Sequence, residues 1–173
     1  MSFLVRHPDT PPGAIQAIDA ELARVPGGAV ATFAMVGDIA RLCLPPPVAP
    51  ERTDGLWRTT CFELFVGSDG DSYREYNFSP SGAWAAYEFD DYRVGMRGLP
   101  AAISIQNSSD DKNFTMIAKI ESELPESARI GLSAVVEEAD RIIRYWATAF
   151  APGKPDFHAE AVRCLILDGV SAE

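Results

Sequence analysis

The side chains with the clearest capacity for ligand binding lie between Trp57 and Met96. They combine aromatic rings with carboxylates and an amide on β-type runs, and the set comprises Trp57, Glu63, Glu75, Asn77 and Trp84. The apolar C–H face of a pyranose stacks on an aromatic ring, and its hydroxyls need planar hydrogen-bonding partners. The segment therefore predicts a site for a carbohydrate or similar polyhydroxylated ligand, with Trp84 stacking on the sugar and Trp57 as a second wall. An ordinary sheet core with a polar rim has the same composition.

Two arginines and a histidine are candidates for the rim of this site. Arg93 and Arg97 flank Gly95-Met96, and their planar guanidinium groups suit vicinal hydroxyls or a carboxylate. His158 ends the loop sequence Pro155-Asp156-Phe157-His158, and loops of this kind often shape pockets. We predict that Arg93 binds hydroxyls and that Arg97 or His158 closes the rim. Surface ion pairs are the alternative interpretation of the two arginines.

Three other functions compete with non-catalytic carbohydrate binding. Glu63 and Glu75 could act as acid and nucleophile in a glycan-processing enzyme if their carboxyl groups lie within about 5–10 Å of each other. Met96 and His158 are the plausible axial ligands of a haem or redox module, although we expect no cofactor. The aromatic face could also meet a protein partner.

Several other chemistries have no support in the sequence. No nucleophile elbow, zinc-ligand spacing or phosphate-binding glycine loop occurs, so we predict no catalytic nucleophile and no metal. Gly67–Asp71 lacks the full spacing of a calcium loop and is predicted to be a turn.

The elements that must position these residues are mostly short strands. Thr10-Pro11-Pro12 followed by Ile15, Ile18 and Leu22 predicts one short N-terminal helix, which Pro26-Gly27-Gly28 ends. The rest of the chain alternates short β-type runs with turn residues, which predicts an all-β, antiparallel, jelly-roll-like β-sandwich forming one domain over residues 1–173. The candidate strands are Ala29–Val36, Ile39–Leu44, Trp57–Val66, Ser72–Ser79, Ala83–Phe89, Ala101–Gln106, Asn113–Ile120, Arg129–Val136, Arg141–Ala149 and Val162–Leu167.

The turn Ser79-Pro80-Ser81-Gly82 predicts the register of the central hairpin, and the register decides on which face of the sheet each side chain lies. Its Pro and Gly positions fit a type I turn, which pairs Asn77 with Trp84 and Glu75 with Ala86. The predicted core face then carries Tyr76, Phe78, Ala83, Ala85, Tyr87 and Phe89. The predicted ligand face carries Tyr73, Glu75, Asn77, Trp84 and Ala86. In the preceding strand, alternation assigns Phe62, Leu64 and Val66 to the core, and Trp57, Thr59, Cys61 and Glu63 to the ligand face.

Charge and cysteine content restrict the partners and the compartment. The 15 basic and 25 acidic residues give a formal charge of −10, which argues against nucleic acid or an anionic membrane as partner. The N-terminal sequence has no apolar segment of signal-peptide type. The three cysteines, Cys43, Cys61 and Cys164, are predicted to be free thiols in a reducing compartment. We expect a cytoplasmic location.

Four motifs resemble those of bacterial DOMON-like proteins related to the family-9 carbohydrate-binding modules. They are W-x-x-T-C-F-E-L-F-V at Trp57–Val66, E-Y-N-F-S-P-S-G-x-W at Glu75–Trp84, Y-R-x-G-M at Tyr92–Met96 and P-D-F-H at Pro155–His158. With the number of strands, the resemblance extends over most of the chain after the predicted helix. It implies a jelly-roll-like β-sandwich that binds saccharides or, in other branches of the family, haem.

Overall fold

The computed structural model describes residues 1–168 as an all-β protein with two antiparallel sheets. Its strands, in chain order, are β1 Ser2–Phe3, β2 Val5–Arg6, β3 Ile15–Val25, β4 Gly28–Gly37, β5 Cys61–Gly67, β6 Tyr73–Phe78, β7 Trp84–Phe89, β8 Arg97–Gly98, β9 Ala102–Ser109, β10 Asn113–Glu121, β11 Ala128–Glu137, β12 Ile143–Ala147 and β13 Leu165–Leu167. Three 3₁₀ turns, Ile39–Arg41, Leu56–Arg58 and Glu160–Val162, are the only helical elements in this range. The predicted all-β sandwich architecture is confirmed.

The smaller sheet has five strands in the order β1-β3-β4-β10-β9. The larger sheet has eight strands, with the order β2-β12-β11-β5-β6-β7-β8 and with β13 paired to β11. In this second sheet, β5, β6 and β7 are consecutive neighbours, so the hairpin of the central segment pairs with the strand that precedes it. Among residues 1–168, no helix is both long and apolar enough to cross a membrane.

The main apolar core lies between the two sheets. Alternation along β5 buries Phe62, Leu64 and Val66 in it, as predicted. The smaller sheet contributes Phe33, whose ring centroid lies 4.8 Å from that of Phe62. Phe114 stacks on Phe62 from β10, with centroids 6.0 Å apart. These rings hold the sheets together and leave the opposite face of the larger sheet for other contacts.

The predicted N-terminal helix is wrong, because residues Ile15–Val25 form the long strand β3. The register of β3 against β4 shifts between Ile15 and Ala17, which marks a β-bulge. A bulge adds one residue to a strand, so the buried Ile15 and Ile18 come to be spaced by three as in a helix. Beyond the bulge, strand alternation resumes with Ala20, which is buried. The apparent helical period was therefore an irregular strand.

The predicted hairpin register is wrong by one residue. The pairs found are Phe78 with Trp84 and Asn77 with Ala85, rather than Asn77 with Trp84. Ser79 N donates to the carbonyl of Ala83 at 2.9 Å, so the loop has three residues and ends at Gly82 with φ of 97°. A type I turn followed by a left-handed glycine is a common three-residue hairpin loop. This one-residue difference moves every side chain of β7 to the face opposite the one predicted.

A buried ion-pair network fixes the segment that enters β3. The Arg144 guanidinium binds Asp140 at 2.9 Å and lies 3.5 Å from the Glu138 carboxylate. It also donates to the carbonyls of Pro11 and Pro12 at 2.9 and 3.0 Å. A Cβ atom at Gly13 would lie 2.4 Å from both Arg144 Nε and Glu138 Oε1, so this close approach requires glycine.

Candidate functional site

The candidate site lies on the outer face of the larger sheet, away from the core between the sheets. The residues of β5, β6 and β7 that point outward form a second apolar cluster, which includes Phe65, Tyr73 and Phe89. Three segments cover part of this face: residues 54–58 before β5, residues 90–96 after β7, and residues 155–158 before β13. The sheet forms the floor of a cleft, and the segments form its walls.

The cleft is open to solvent and has a volume of about 560 Å³. This is within the range of small-molecule sites, which runs from about 300 to 1,000 Å³. Its lining residues are Asp54, Gly55, Trp57, Arg58, Glu63, Glu75, Tyr87, Phe89, Arg93, Met96, Val135, Tyr145, Pro155, Asp156, Phe157 and His158.

Five residues that the sequence analysis selected line this cleft. They are Trp57, Glu63, Glu75, Arg93 and His158. Trp57 is 53% exposed, and the Arg58 guanidinium lies 5.4 Å from the centroid of its ring. An indole this exposed, in a 3₁₀ turn at the edge of a cleft, is available to stack on a ligand.

Three selected residues do not line the cleft. Trp84 packs against the core between the sheets, because the register of its hairpin differs by one residue from the prediction. Asn77 does face outward, but it is completely buried beneath the surface, and neither of its amide atoms has a hydrogen-bond partner in the described structure. Arg97 lies on the exposed strand β8, where it binds Glu88 and Asp90 at 2.7 Å each.

Several lining residues lie outside the set predicted from the sequence. Tyr87 and Phe89 were assigned to the core by the same register error that misplaced Trp84. A three-residue loop ending at Gly82 would have identified them. Tyr145 comes from β12, which is separated from β5 by β11 in the sheet, and no local sequence signal places it here. Asp54 lines the cleft through a segment without strand periodicity.

Arg93 is held at the rim in an unusual backbone conformation. Its φ of 56° is in the left-handed region, which is uncommon for residues other than glycine. The backbone N–H of Arg93 donates to the Tyr73 hydroxyl at 3.1 Å, and Nη2 donates to Asp156 Oδ1 at 2.9 Å. Asp156 also accepts from the Tyr92 hydroxyl and from the backbone N–H of His158. These contacts join the two loops across the cleft wall.

The imidazole of His158 connects the wall to the floor. Its Nδ1 lies 2.7 Å from the Tyr73 hydroxyl, and its Nε2 lies 3.7 Å from Glu75 Oε2. Because the Arg93 N–H donates to Tyr73, the phenol is free to donate to Nδ1, which places the imidazole proton on Nε2. Burial, aided by the positive charge of Arg93, lowers the pKa of His158 to about 4. His158 is therefore neutral at neutral pH.

Glu63 and Glu75 lie side by side on the floor. Glu63 pairs with Asn77 across β5 and β6, which makes Glu75 its diagonal neighbour on the same face, at roughly 7–8 Å between backbone positions. Burial, reinforced by the negative charge of Glu75, raises the pKa of Glu63 well above its usual value. Burial also raises the pKa of Glu75 to about 7, against smaller opposing effects of Asn77 and Arg93.

Both imidazole nitrogens of His158 face other groups of the cleft. Nδ1 of His158 is bound to Tyr73, and Nε2 faces the Glu75 carboxyl. An axial bond from either nitrogen would therefore replace an existing contact. Met96 also lines the cleft, but its side chain is largely exposed. Within residues 1–168, no group of three or more His, Cys, Asp or Glu side chains is placed to hold a metal ion.

The fold and the cleft together define a β-sandwich with a ligand-sized site on the outer face of its larger sheet. A crystal structure of a protein from Bacteroides uniformis, described as a "putative carbohydrate-binding protein", is similar to it with a TM-score of 0.67. The match covers 93% of this chain and 82% of that one, at 10% sequence identity, so the likeness concerns the fold. No protein-family model matches the chain, and no curated protein is similar to it in sequence.

Proposed function

We propose that this protein binds a carbohydrate, or a similar polyhydroxylated ligand, in the outer-face cleft without transforming it. The observation that carries the proposal is the half-exposed Trp57 ring at the edge of a cleft whose floor and walls present hydrogen-bonding groups. The description of the Bacteroides uniformis neighbour as carbohydrate-binding supports the same ligand class.

In the proposed complex, the indole of Trp57 stacks on the apolar face of the sugar ring. Glu75 and the exposed side of Arg93 bind its hydroxyls, because both groups line the cleft and offer planar acceptors or donors. Asp156 fixes the Arg93 guanidinium, which reduces the entropy that the side chain would lose on binding. Arg97 and Trp84 take no part, since they lie outside the cleft.

We also infer a distant relation to the DOMON-like proteins and the family-9 carbohydrate-binding modules. The motifs at Trp57–Val66 and Tyr92–Met96 support it, because both contribute residues to the cleft. A jelly-roll-like connection of the strands, a bacterial origin and a cytoplasmic location belong to the same proposal.

Replacing Trp57 with alanine should weaken binding of a responsive neutral oligosaccharide by about tenfold, since an aromatic anchor is removed from a binding site. The measurement is isothermal titration calorimetry with a panel of gluco-, xylo- and manno-oligosaccharides. Tryptophan fluorescence gives a second reading, because Trp84 and Trp146 pack in the core and Trp57 is the exposed indole. A ligand-induced change in emission should therefore disappear in the variant.

The matched control is Phe3→Ala, which removes an aromatic ring that is 75% exposed on β1 of the smaller sheet. Its affinity should equal that of the unmodified protein. Equal affinity of Trp57→Ala and Phe3→Ala, or no binding of any sugar, would contradict the proposal.

A glycan-processing enzyme is the second candidate, favoured by the diagonal placement of Glu63 and Glu75. In that mechanism Glu63, whose pKa is raised further by burial and by Glu75, would be the acid. Glu75, whose pKa burial raises to about 7, would be the partner that loses its proton. Release of reducing ends from an oligosaccharide, abolished in both Glu63→Gln and Glu75→Gln, would support this reaction over simple binding.

A further inference from the structure

The floor of the cleft carries two buried carboxyl groups that have almost no polar partners. Glu63 is 3% exposed, and its closest hydrogen bond is a long one of 3.5 Å from the Ser133 hydroxyl. Glu75 is 5% exposed, and within residues 1–168 it makes no hydrogen bond of normal geometry. Its Oε2 lies 3.7 Å from Nε2 of the His158 imidazole, which is neutral at neutral pH, and the Asn77 side chain is a further polar neighbour on the same face. Buried carboxylates are normally paired, so this arrangement requires an explanation.

The remaining charges of the cleft are already engaged with one another. Arg93 binds Asp156, and Arg58 lies over the ring of Trp57. Asp54 accepts from the Tyr87 hydroxyl at 2.5 Å and pairs with Arg52 at 3.2 Å. Glu63 and Glu75 are therefore the acidic groups of the cleft that no side-chain cation binds directly. A ligand that reaches the floor meets acceptors that lack a positive partner.

We propose that the cleft selects saccharides that carry a protonated amine, with the ammonium group bound at the Glu63–Glu75 floor. This inference rests on the proposed carbohydrate-binding function and names the ligand class of the same site. A charge-assisted hydrogen bond from an ammonium group to a buried carboxylate is about twice as strong as a neutral one. The aromatic rings that line the cleft, such as Trp57 and Tyr145, also favour a cation over a neutral group. A neutral sugar supplies neither carboxyl group with a cationic partner.

Binding of an ammonium group should be coupled to loss of a proton from the floor. Burial raises the pKa of Glu75 to about 7, so this carboxyl is largely protonated at pH 6. The proton passes to the buffer, and the ammonium N–H then donates to the carboxylate oxygen. The titratable or charged groups that face Glu75 are Cys61, Glu63, Tyr73, Tyr87, Arg93 and His158. Of these, Glu63 is the other acid, and Arg93 is the permanent cation, which is bound to Asp156.

The test is calorimetry of the full chain with three matched probes: glucosamine oligomers, N-acetylglucosamine oligomers of equal length and glucose oligomers. At pH 7 the amine-bearing oligomer should bind about tenfold more tightly than both neutral ones. Glu75→Gln should remove this preference, so that the amine-bearing and neutral oligomers bind with similar affinity. At pH 6, titration in two buffers of different ionisation enthalpy should show release of about one proton with the amine and none with the neutral probes.

The outcomes separate this inference from the function on which it rests. Equal affinity for the amine-bearing and neutral oligomers would overturn the amine preference and leave carbohydrate binding in place. An amine preference that persists in both Glu75→Gln and Glu63→Gln would overturn the assignment to the floor. If none of the sugars binds, both proposals fail. The proton-release measurement uses the unmodified protein, so it decides the question even if a variant folds poorly.

Discussion

Replacing Arg144 with alanine should destabilise the protein by about 3–5 kcal/mol, the usual cost of removing one partner from a buried ion pair. The Glu138 carboxylate, which is completely buried, would lose its counter-ion. The carbonyls of Pro11 and Pro12 would lose the donors that now bind them. Because those residues lead into β3, the first long strand of the smaller sheet would also lose its attachment to β12.

Urea unfolding followed by circular dichroism measures this loss. Arg129→Ala is the matched control, since Arg129 is 65% exposed and lies 3.9 Å from Glu160. An exposed pair of this kind contributes at most about 1 kcal/mol, so the control should unfold close to the midpoint of the unmodified protein. A loss of less than about 1 kcal/mol in Arg144→Ala would show that the network does not stabilise the fold in the way its geometry indicates.

The general architecture could be predicted because alternation is a local property of the sequence. Phe62, Leu64 and Val66 were assigned to the core by period alone, and the structure places them there. Alternation fails where one residue is inserted. The bulge after Ile15 made a strand resemble a helix, and the three-residue loop ending at Gly82 exchanged the two faces of β7. Each of the two errors comes from one additional residue. The error in the hairpin loop is the one that moved Trp84 out of the candidate site.

Residues in the walls of the cleft could be predicted from their side-chain chemistry, but the contacts that hold them in place could not. Arg93 and His158 were selected because their side chains suit hydroxyl binding, and the structure brings both to the cleft. Their attachment through Tyr73 and Asp156 depends on tertiary contacts between segments more than 60 residues apart in sequence. No period or turn signal encodes such contacts. The position of Tyr145 is equally non-local, because it depends on the order of strands in the sheet.

Removing the ionisable group of Glu75 is the second change for which we expect a large effect on stability. It should stabilise the ligand-free protein against unfolding. Burial raises the pKa of Glu75 from its ordinary 4.5 to about 7, so the folded state binds the proton more tightly than the unfolded state. The contribution of such a group to the free energy of unfolding is highest below pH 4.5. It falls as the pH rises toward 7 and stays low above pH 7. Glutamine cannot ionise, so Glu75→Gln should gain about 3 kcal/mol at pH 8 and nothing at pH 4.

Thermal unfolding at pH 4 and pH 8 tests the predicted direction of the change in stability of Glu75→Gln. The gain at pH 8 corresponds to a rise in Tm of about 2–4 °C for each kcal/mol in a chain of this size. Glu123→Gln, a substitution of an exposed glutamate, should leave Tm unchanged at both pH values.

Glu63→Gln should behave like Glu75→Gln, because burial and the charge of Glu75 raise the pKa of Glu63 as well. A carboxyl that costs the free protein stability at neutral pH, yet lines the cleft, is the expected signature of a group kept for its ligand. A gain in Tm at pH 4 equal to that at pH 8 would instead assign the effect to packing and remove this support for a cationic ligand.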